Sequence, residues 1–198
     1  MSIIQNNKKI SNVYINNKKI SKIYYNNKLI YQSQPLYAQI VFRNIDENGN
    51  ISLPQENINN YFDNITSIET RGLYYAFYNC SGLTGSISFP QLTSIGNYGL
   101  RSAFDGCSGL TGSISFPKLT SIGNYGLYYA FTGCSGLTGS ISFPQLTSIG
   151  NDGLAFAFRD CGDITELHFR ADMQSVIENQ SDYSNNFGAY NSTIYFDL

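Results

Sequence analysis

Tryptophan is missing from the 198-residue chain, histidine occurs once, at His168, and charged residues make up only 13%, about half the usual share. With Gly, Tyr, Ser and Asn abundant in their place, the composition favours strands and tight turns over amphipathic helices. No apolar run approaches the ~20 residues of a membrane-spanning helix, so no membrane insertion is expected. Acidic residues are absent before Asp46, and Lys8, Lys9, Lys18, Lys19, Lys22 and Lys28 give the first 35 residues a charge of +6. The remainder carries six basic residues against all fourteen acidic ones, an asymmetry that separates two structural units or two faces. No nucleic-acid partner is expected, because the basic segment lacks Arg and offers little surface. The opening residues Met1 to Ile10 lack the apolar core and small-residue cleavage site of a secretory signal, so export by that route is not expected.

What is present is a repeat. Cys80, Cys107, Cys134 and Cys161 fall 27 residues apart, as do Phe77, Phe104, Phe131 and Phe158. Pro90, Pro117 and Pro144 keep the step, as do the Thr-Ser-Ile segments at 66–68, 93–95, 120–122 and 147–149. A fixed period of this length marks a solenoid, in which each coil buries its apolar face only against its neighbours. Within one unit, Ser113-Ile114-Ser115-Phe116 alternates as a half-buried strand, with Ile114 and Phe116 pointing inward and Pro117 ending it. Thr120 to Gly123 reads as a second short extended piece. Leu127, Ala130 and Phe131, at i, i+3 and i+4, predict a single helical turn that delivers Phe131 to the core.

These residues resemble the BspA-like leucine-rich repeat family: Cys80-Ser81-Gly82-Leu83-Thr84, Phe89-Pro90, Thr93-Ser94-Ile95-Gly96 and Ala103-Phe104 recur in register over about residues 60 to 170. The unit is longer than the family's usual one by a Gly-Leu-Tyr-Tyr type insertion before Ala-Phe. The resemblance implies an open right-handed solenoid used for binding, commonly on microbial surfaces, without catalytic activity. The expected fold is therefore mainly β with short helical turns, a right-handed solenoid of four 27-residue coils with caps, preceded by a small β-meander.

That meander is expected over residues 1–35, where Asn6-Asn7-Lys8-Lys9-Ile10, Asn16-Asn17-Lys18-Lys19-Ile20 and Asn26-Asn27-Lys28-Leu29-Ile30 recur every ten residues; Asn-Asn suits tight hairpin turns. So short a sheet cannot bury a core and needs a partner. Lys18 and Lys19 would steer attachment to an acidic surface, and Tyr14, Ile15, Ile23, Tyr24 and Tyr25 would supply its apolar contact. The segment is similar to short N-terminal modules of bacteriophage and prophage structural proteins, which implies attachment to a capsid or tail, or self-association, and a place on the virion surface. A bacterial cell-surface or extracellular adhesin is the alternative. Residues 36–198 form the solenoid, with 36–62 and 166–198 as caps: Leu36 to Phe42 reads as a strand, Asp46 to Asn50 as a turn, 172–180 as a short helix and 192–198 as a final strand.

Chemistry is sparse. The four cysteines should stack as a buried thiol column, since zinc wants closely spaced Cys pairs that are absent. Asp46, Asn48 and Asn50 open like a calcium loop, yet Ile51 and Asn57 stand where Gly and Glu are required. His168 has no patterned nucleophile near it, and no cofactor or enzymatic activity is expected. Positions that drift between units mark the free surface: Tyr74, Tyr75, Tyr98, Arg101, Tyr125, Tyr128, Tyr129, Phe156 and Arg159 are the candidate contact residues for a protein or glycan on a cell surface.

Overall fold

Alternating small polar and large apolar residues, repeated every 27 positions, align equivalent strands into parallel ladders. The computed structural model describes residues 62–198 throughout and, ahead of them, only four short strands: Lys22–Tyr25 (β1), Lys28–Gln32 (β2), Asn44–Ile45 (β3) and Ile51–Ser52 (β4). β1 pairs antiparallel with β2, and β3 with β4 across Asp46 to Asn50. The rest of the expected meander, including Tyr14, Ile15, Lys18 and Lys19, and the expected strand Leu36–Phe42 lie outside the described residues.

From Phe62 onward each unit contributes two extended pieces. The two-residue strands Ser67–Ile68 (β5), Ser94–Ile95 (β7), Ser121–Ile122 (β9) and Ser148–Ile149 (β11) form one four-stranded parallel sheet in exact 27-residue register. The longer strands are Gly85–Ser88 (β6), Leu110–Ser115 (β8), Thr138–Phe143 (β10) and Asp163–Phe169 (β12). β6 pairs with β8, a bridge from Gly112 to Leu137 joins β8 to the next unit, and β10 pairs with β12. Opposite Gly139, which has φ +83°, Ile164 and Glu166 bracket Thr165, so the ladder shifts there. Thr193–Phe196 (β13) continues beyond β12, again in parallel and with a 27-residue offset.

Two columns of phenyl rings fill the interior. Phe62, Phe89, Phe116, Phe143 and Phe169 stack in one, with neighbouring ring centroids 4.4–5.7 Å apart. Phe77, Phe104, Phe131 and Phe158 stack in the other at 5.0–6.0 Å, and the two meet where Phe116 lies 6.4 Å from Phe131. Every ring in them is buried. Burying each is worth about 1.5–3 kcal/mol, and each ring pair adds about 0.5–1.5 kcal/mol. Phe62, at the end of the flank expected from sequence, thus packs as a member of the repeat.

Side chains tie the coils at their edges. Thr120 Oγ1 donates to the Thr93 carbonyl at 2.8 Å and Thr147 Oγ1 to that of Thr120 at 3.1 Å, while Asn97 and Asn124 each accept the backbone N–H of the next Asn through Oδ1 at 2.9 Å. The expected helical turn at Leu127 to Phe131 is not formed. Among the described residues helical structure is confined to the C-terminal flank: Ala171–Met173, the α-helix Gln174–Glu178 (α1) and the irregular 3-10 segment Tyr183–Gly188. No described helix is long and apolar enough to cross a membrane.

Candidate binding surface

Where helical turns were expected, the chain makes consecutive four-residue turns. Positive φ recurs at every fourth residue: Arg71, Tyr75 and Asn79; Tyr98, Ser102 and Gly106; Tyr125, Tyr129 and Gly133; Asp152, Phe156 and Asp160. A local bond closes each turn, as from Gly99 N–H to the Gly96 carbonyl, Ala103 to Leu100 and Cys107 to Phe104, at 2.9–3.0 Å. Alternate N–H groups reach the following coil: Tyr98, Leu100, Ser102, Phe104 and Gly106 donate to the carbonyls of Asn124, Gly126, Tyr128, Ala130 and Thr132 at 2.8–2.9 Å. The turn side is therefore also a parallel ladder, and this explains why a helix loses: its own i→i−4 bonds would remove the donors that join the coils.

Each turn has one side-chain grammar. In Gly99-Leu100-Arg101-Ser102 and Ala103-Phe104-Asp105-Gly106, a small residue comes first, then a buried apolar one, then an outward one, then the residue of positive φ. The small residue is required by contact with the strand before it, since a Cβ on Gly99 would lie 2.7 Å from Cγ2 of Ile95. The Gly-Leu-Tyr-Tyr type insertion is one complete module of four, and so adds a turn without disturbing the ladder.

The outward and positive-φ positions bring most of the candidate residues together. Tyr98 and Tyr125 stack at 5.1 Å, and Tyr129 and Phe156 at 4.9 Å. Tyr74 meets Tyr75 edge-on at 4.5 Å, Tyr128 meets Tyr129 at 4.6 Å, and Tyr125 meets Tyr128 at 5.4 Å. Arg101 stands among them: its guanidinium carbon lies 5.0 Å from the ring centre of Tyr128, 5.6 Å from that of Tyr98 and 5.8 Å from that of Tyr74. Ser102, small and buried, interrupts the column that Tyr75 and Tyr129 occupy in the neighbouring coils. Arg71, 5.5 Å from the Tyr98 ring centre, and Tyr78, 5.3 Å from Tyr75, extend the cluster; Arg71 was not foreseen from the sequence, and Tyr78 stands at a drifting position outside the candidate residues. Arg159 stands apart, exposed, beside its neighbour Asp160 with 3.5 Å between Nε and a carboxylate oxygen.

Burial first, then the hydrogen bond with Tyr129, pushes the Tyr128 phenol up, and the hydrogen bond to Asp152 does the same for Tyr125. Both hydroxyls stay neutral donors through the physiological range.

Five of these aromatic residues, Tyr75, Tyr98, Tyr125, Tyr129 and Phe156, hold a left-handed backbone, which costs a bulky residue about 1–2 kcal/mol. In the last turn of each unit the same conformation falls to Asn79, Gly106, Gly133 and Asp160, the residue types that adopt it at least cost. Backbone requirements alone would place such residues in the other turns as well.

Other candidates hold no ligand geometry. All four cysteines are buried thiols, and among the described residues no group of His, Cys, Asp and Glu could hold a metal ion. The calcium-like Asp46 to Asn50 segment lies outside the described residues. His168 sits between Asp197 and Glu166 at the C-terminal end.

Parallel ladders in 27-residue register, two internal phenyl columns and a buried cysteine in each unit define a solenoid repeat protein. The family model for the BspA type leucine rich repeat region matches residues 52–187 in six copies, and the chain belongs to that family. Repeats of this type suggest a binding surface. No curated protein and no solved structure matches the chain.

Proposed function

We propose that the chain is a non-enzymatic binding and display protein, exposed on a phage particle, whose four-coil solenoid presents the turn-side aromatic cluster to a protein or glycan on a cell surface. The aromatic residues in left-handed backbone positions carry this reading. They accept local strain that Gly or Asn would relieve, and they form a surface rich in Tyr with few charges, the composition of contact faces. Residues 1–35 attach the solenoid to the particle: their ten-residue repeats, basic charge and short strands need burial from a partner. Membership of a family common on microbial surfaces favours a second reading, a bacterial surface adhesin.

Attachment is tested by removing residues 1–35 and following incorporation into purified particles by mass spectrometry, beside surface proteolysis of intact cells. The full chain should co-purify with particles, and the truncated chain should stay folded and be left behind. Recovery of the full chain only from the cell surface supports the adhesin. Incorporation of the truncated chain at full-length levels refutes attachment through residues 1–35.

A further inference from the structure

We propose that Arg101 is the anchor of the turn-side surface and that it takes a carboxylate, an aspartate or glutamate side chain, from a protein partner. This rests on the reading of the turn side as a contact face. In the outward column formed by Tyr74, Arg101, Tyr128 and Ala155, Arg101 is the one cation, and rings from the coil before it, its own coil and the coil after it surround its guanidinium at 5.0–5.8 Å. Its Nε is buried without a hydrogen-bond partner. Among the described residues no acidic side chain forms an ion pair with it, although Asp105 follows four residues later and Asp152 is engaged by Tyr125. A guanidinium among rings keeps its charge and offers a planar fork of donors that matches a carboxylate. Partial desolvation makes that pairing stronger than on an open surface.

The arrangement favours a protein over a sugar or a small anion. Among the described residues two hollows lie elsewhere, one along Ser67, Ser94, Ser121 and Ser148, the other beside Cys161 and Ala189, whereas small ligands are held in concave sites. Ring faces on which a sugar would stack are turned toward each other in the pairs Tyr98–Tyr125 and Tyr129–Phe156. A central Arg ringed by Tyr is instead the composition of a protein-interface hot spot, in which surrounding rings exclude water from the charged pair.

The probe is a displayed library of random peptides, selected on the full chain and counter-selected on Arg101→Gln. Retained sequences should carry Asp or Glu, and replacing that residue by Asn or Gln should weaken binding at least tenfold. Arg101→Gln should weaken it equally, and in combination the two changes should add little. Arg101→Lys should restore binding only in part, and Lys118→Gln, an exposed cation away from the turn side, should leave it unchanged. Retained peptides without acidic residues, equal sensitivity to Lys118→Gln, or no retained peptide would each overturn the proposal, as would binding of carboxylated saccharides in place of acidic peptides. In a parallel selection without the counter-selection, peptides lost with Tyr129→Ser but indifferent to Arg101→Gln would leave the contact face standing and remove the carboxylate. Indifference to both would remove both.

Discussion

Cys134 donates its thiol hydrogen to the carbonyl oxygen of Phe104, thirty residues earlier, at 3.1 Å, and the same bond joins Cys107 to Phe77 at 3.0 Å and Cys161 to Phe131 at 2.9 Å. That Phe104 carbonyl also accepts the N–H of Cys107 at 3.0 Å, and the carbonyls of Phe77 and Phe131 are doubly used in the same way. The cysteine column is thereby a polar seam inside an apolar core.

Thiol reactivity should reflect this burial. Desolvation raises the pKa of Cys107 and Cys134 strongly and pushes that of Cys161 up to about 12, so the reactive thiolate is scarce at pH 8. Native protein should label slowly with iodoacetamide at all four sites and completely on unfolding. Rapid native labelling of Cys107 or Cys134 would contradict the buried seam. Cys134→Ala should lower the unfolding free energy by about 1–3 kcal/mol, the cost of a lost buried hydrogen bond and a small void.

Rings on the turn side should matter little for stability. Replacing Tyr129 by Gly relieves about 1–2 kcal/mol of left-handed strain and forfeits about 0.5–1.5 kcal/mol of ring contact, so its denaturant midpoint should move little. Phe131→Ala, two residues on but in the buried column, should cost about 3–5 kcal/mol. A loss at Tyr129 as large as that at Phe131 would mean that the ring holds the fold.

The 27-residue register was legible because the core columns repeat the same residues, Cys80, Cys107, Cys134 and Cys161 and Phe77, Phe104, Phe131 and Phe158: such residues cannot drift without opening a cavity. The local conformation between them was not. Leu127, Ala130 and Phe131 satisfy helical spacing, and the period of four hidden in Gly126, Ala130 and Cys134 differs from 3.6 by too little to show over so short a stretch. Asn79, Gly106, Gly133 and Asp160, preceding each Cys, were the available signal for left-handed backbone. Most of the turn-side aromatic cluster lies at positions that drift between units. Arg159, at another such position, lies apart from it beside the C-terminal flank, where the Cβ of a side chain at Gly188 would meet the Arg159 backbone.

The flank carries a pH-sensitive tie. Nδ1 of His168 lies 2.9 Å from a carboxylate oxygen of Asp197, and Nε2 lies 3.2 Å from one of Glu166, while the ring stacks on Tyr195. Both bonds require both ring nitrogens to donate, hence the imidazolium. The hydrogen bond to Asp197, foremost, raises the histidine pKa in the folded state, against a smaller opposing effect of burial. The stabilisation is therefore complete below the unfolded value of about 6.5 and is lost as pH rises through the raised folded value. Amides of Thr193 to Phe196 should exchange faster above that transition than expected from base catalysis alone, and His168→Gln should abolish the difference. An unchanged pH profile in that variant would assign the effect to another group.

The ladder of the turn side ends at the last coil, and the C-terminal flank supplies the acceptors that a further coil would have offered. Phe187 accepts the N–H of Phe158 through its carbonyl at 3.0 Å and Asp182 that of Phe156 through a carboxylate oxygen at 3.3 Å; Gln180 Oε1 adds a bond at 3.2 Å to the N–H of Gly153, which also bonds locally to the Gly150 carbonyl. Met173, Ile177 and Phe187 are buried against the open end of the core, with the Phe187 ring 6.3 Å from that of Phe169. Removing the chain from Asp172 onward should therefore uncover Ile164 and Phe169, leave the N–H groups of Phe156 and Phe158 unpaired, and cause aggregation. Phe187→Ala tests the same point gently: it should cost about 3–5 kcal/mol by the cavity left and speed amide exchange at Phe156 and Phe158 before the rest of the ladder. A truncated chain that stays monomeric with an unchanged Tm would show that the solenoid end needs no cover.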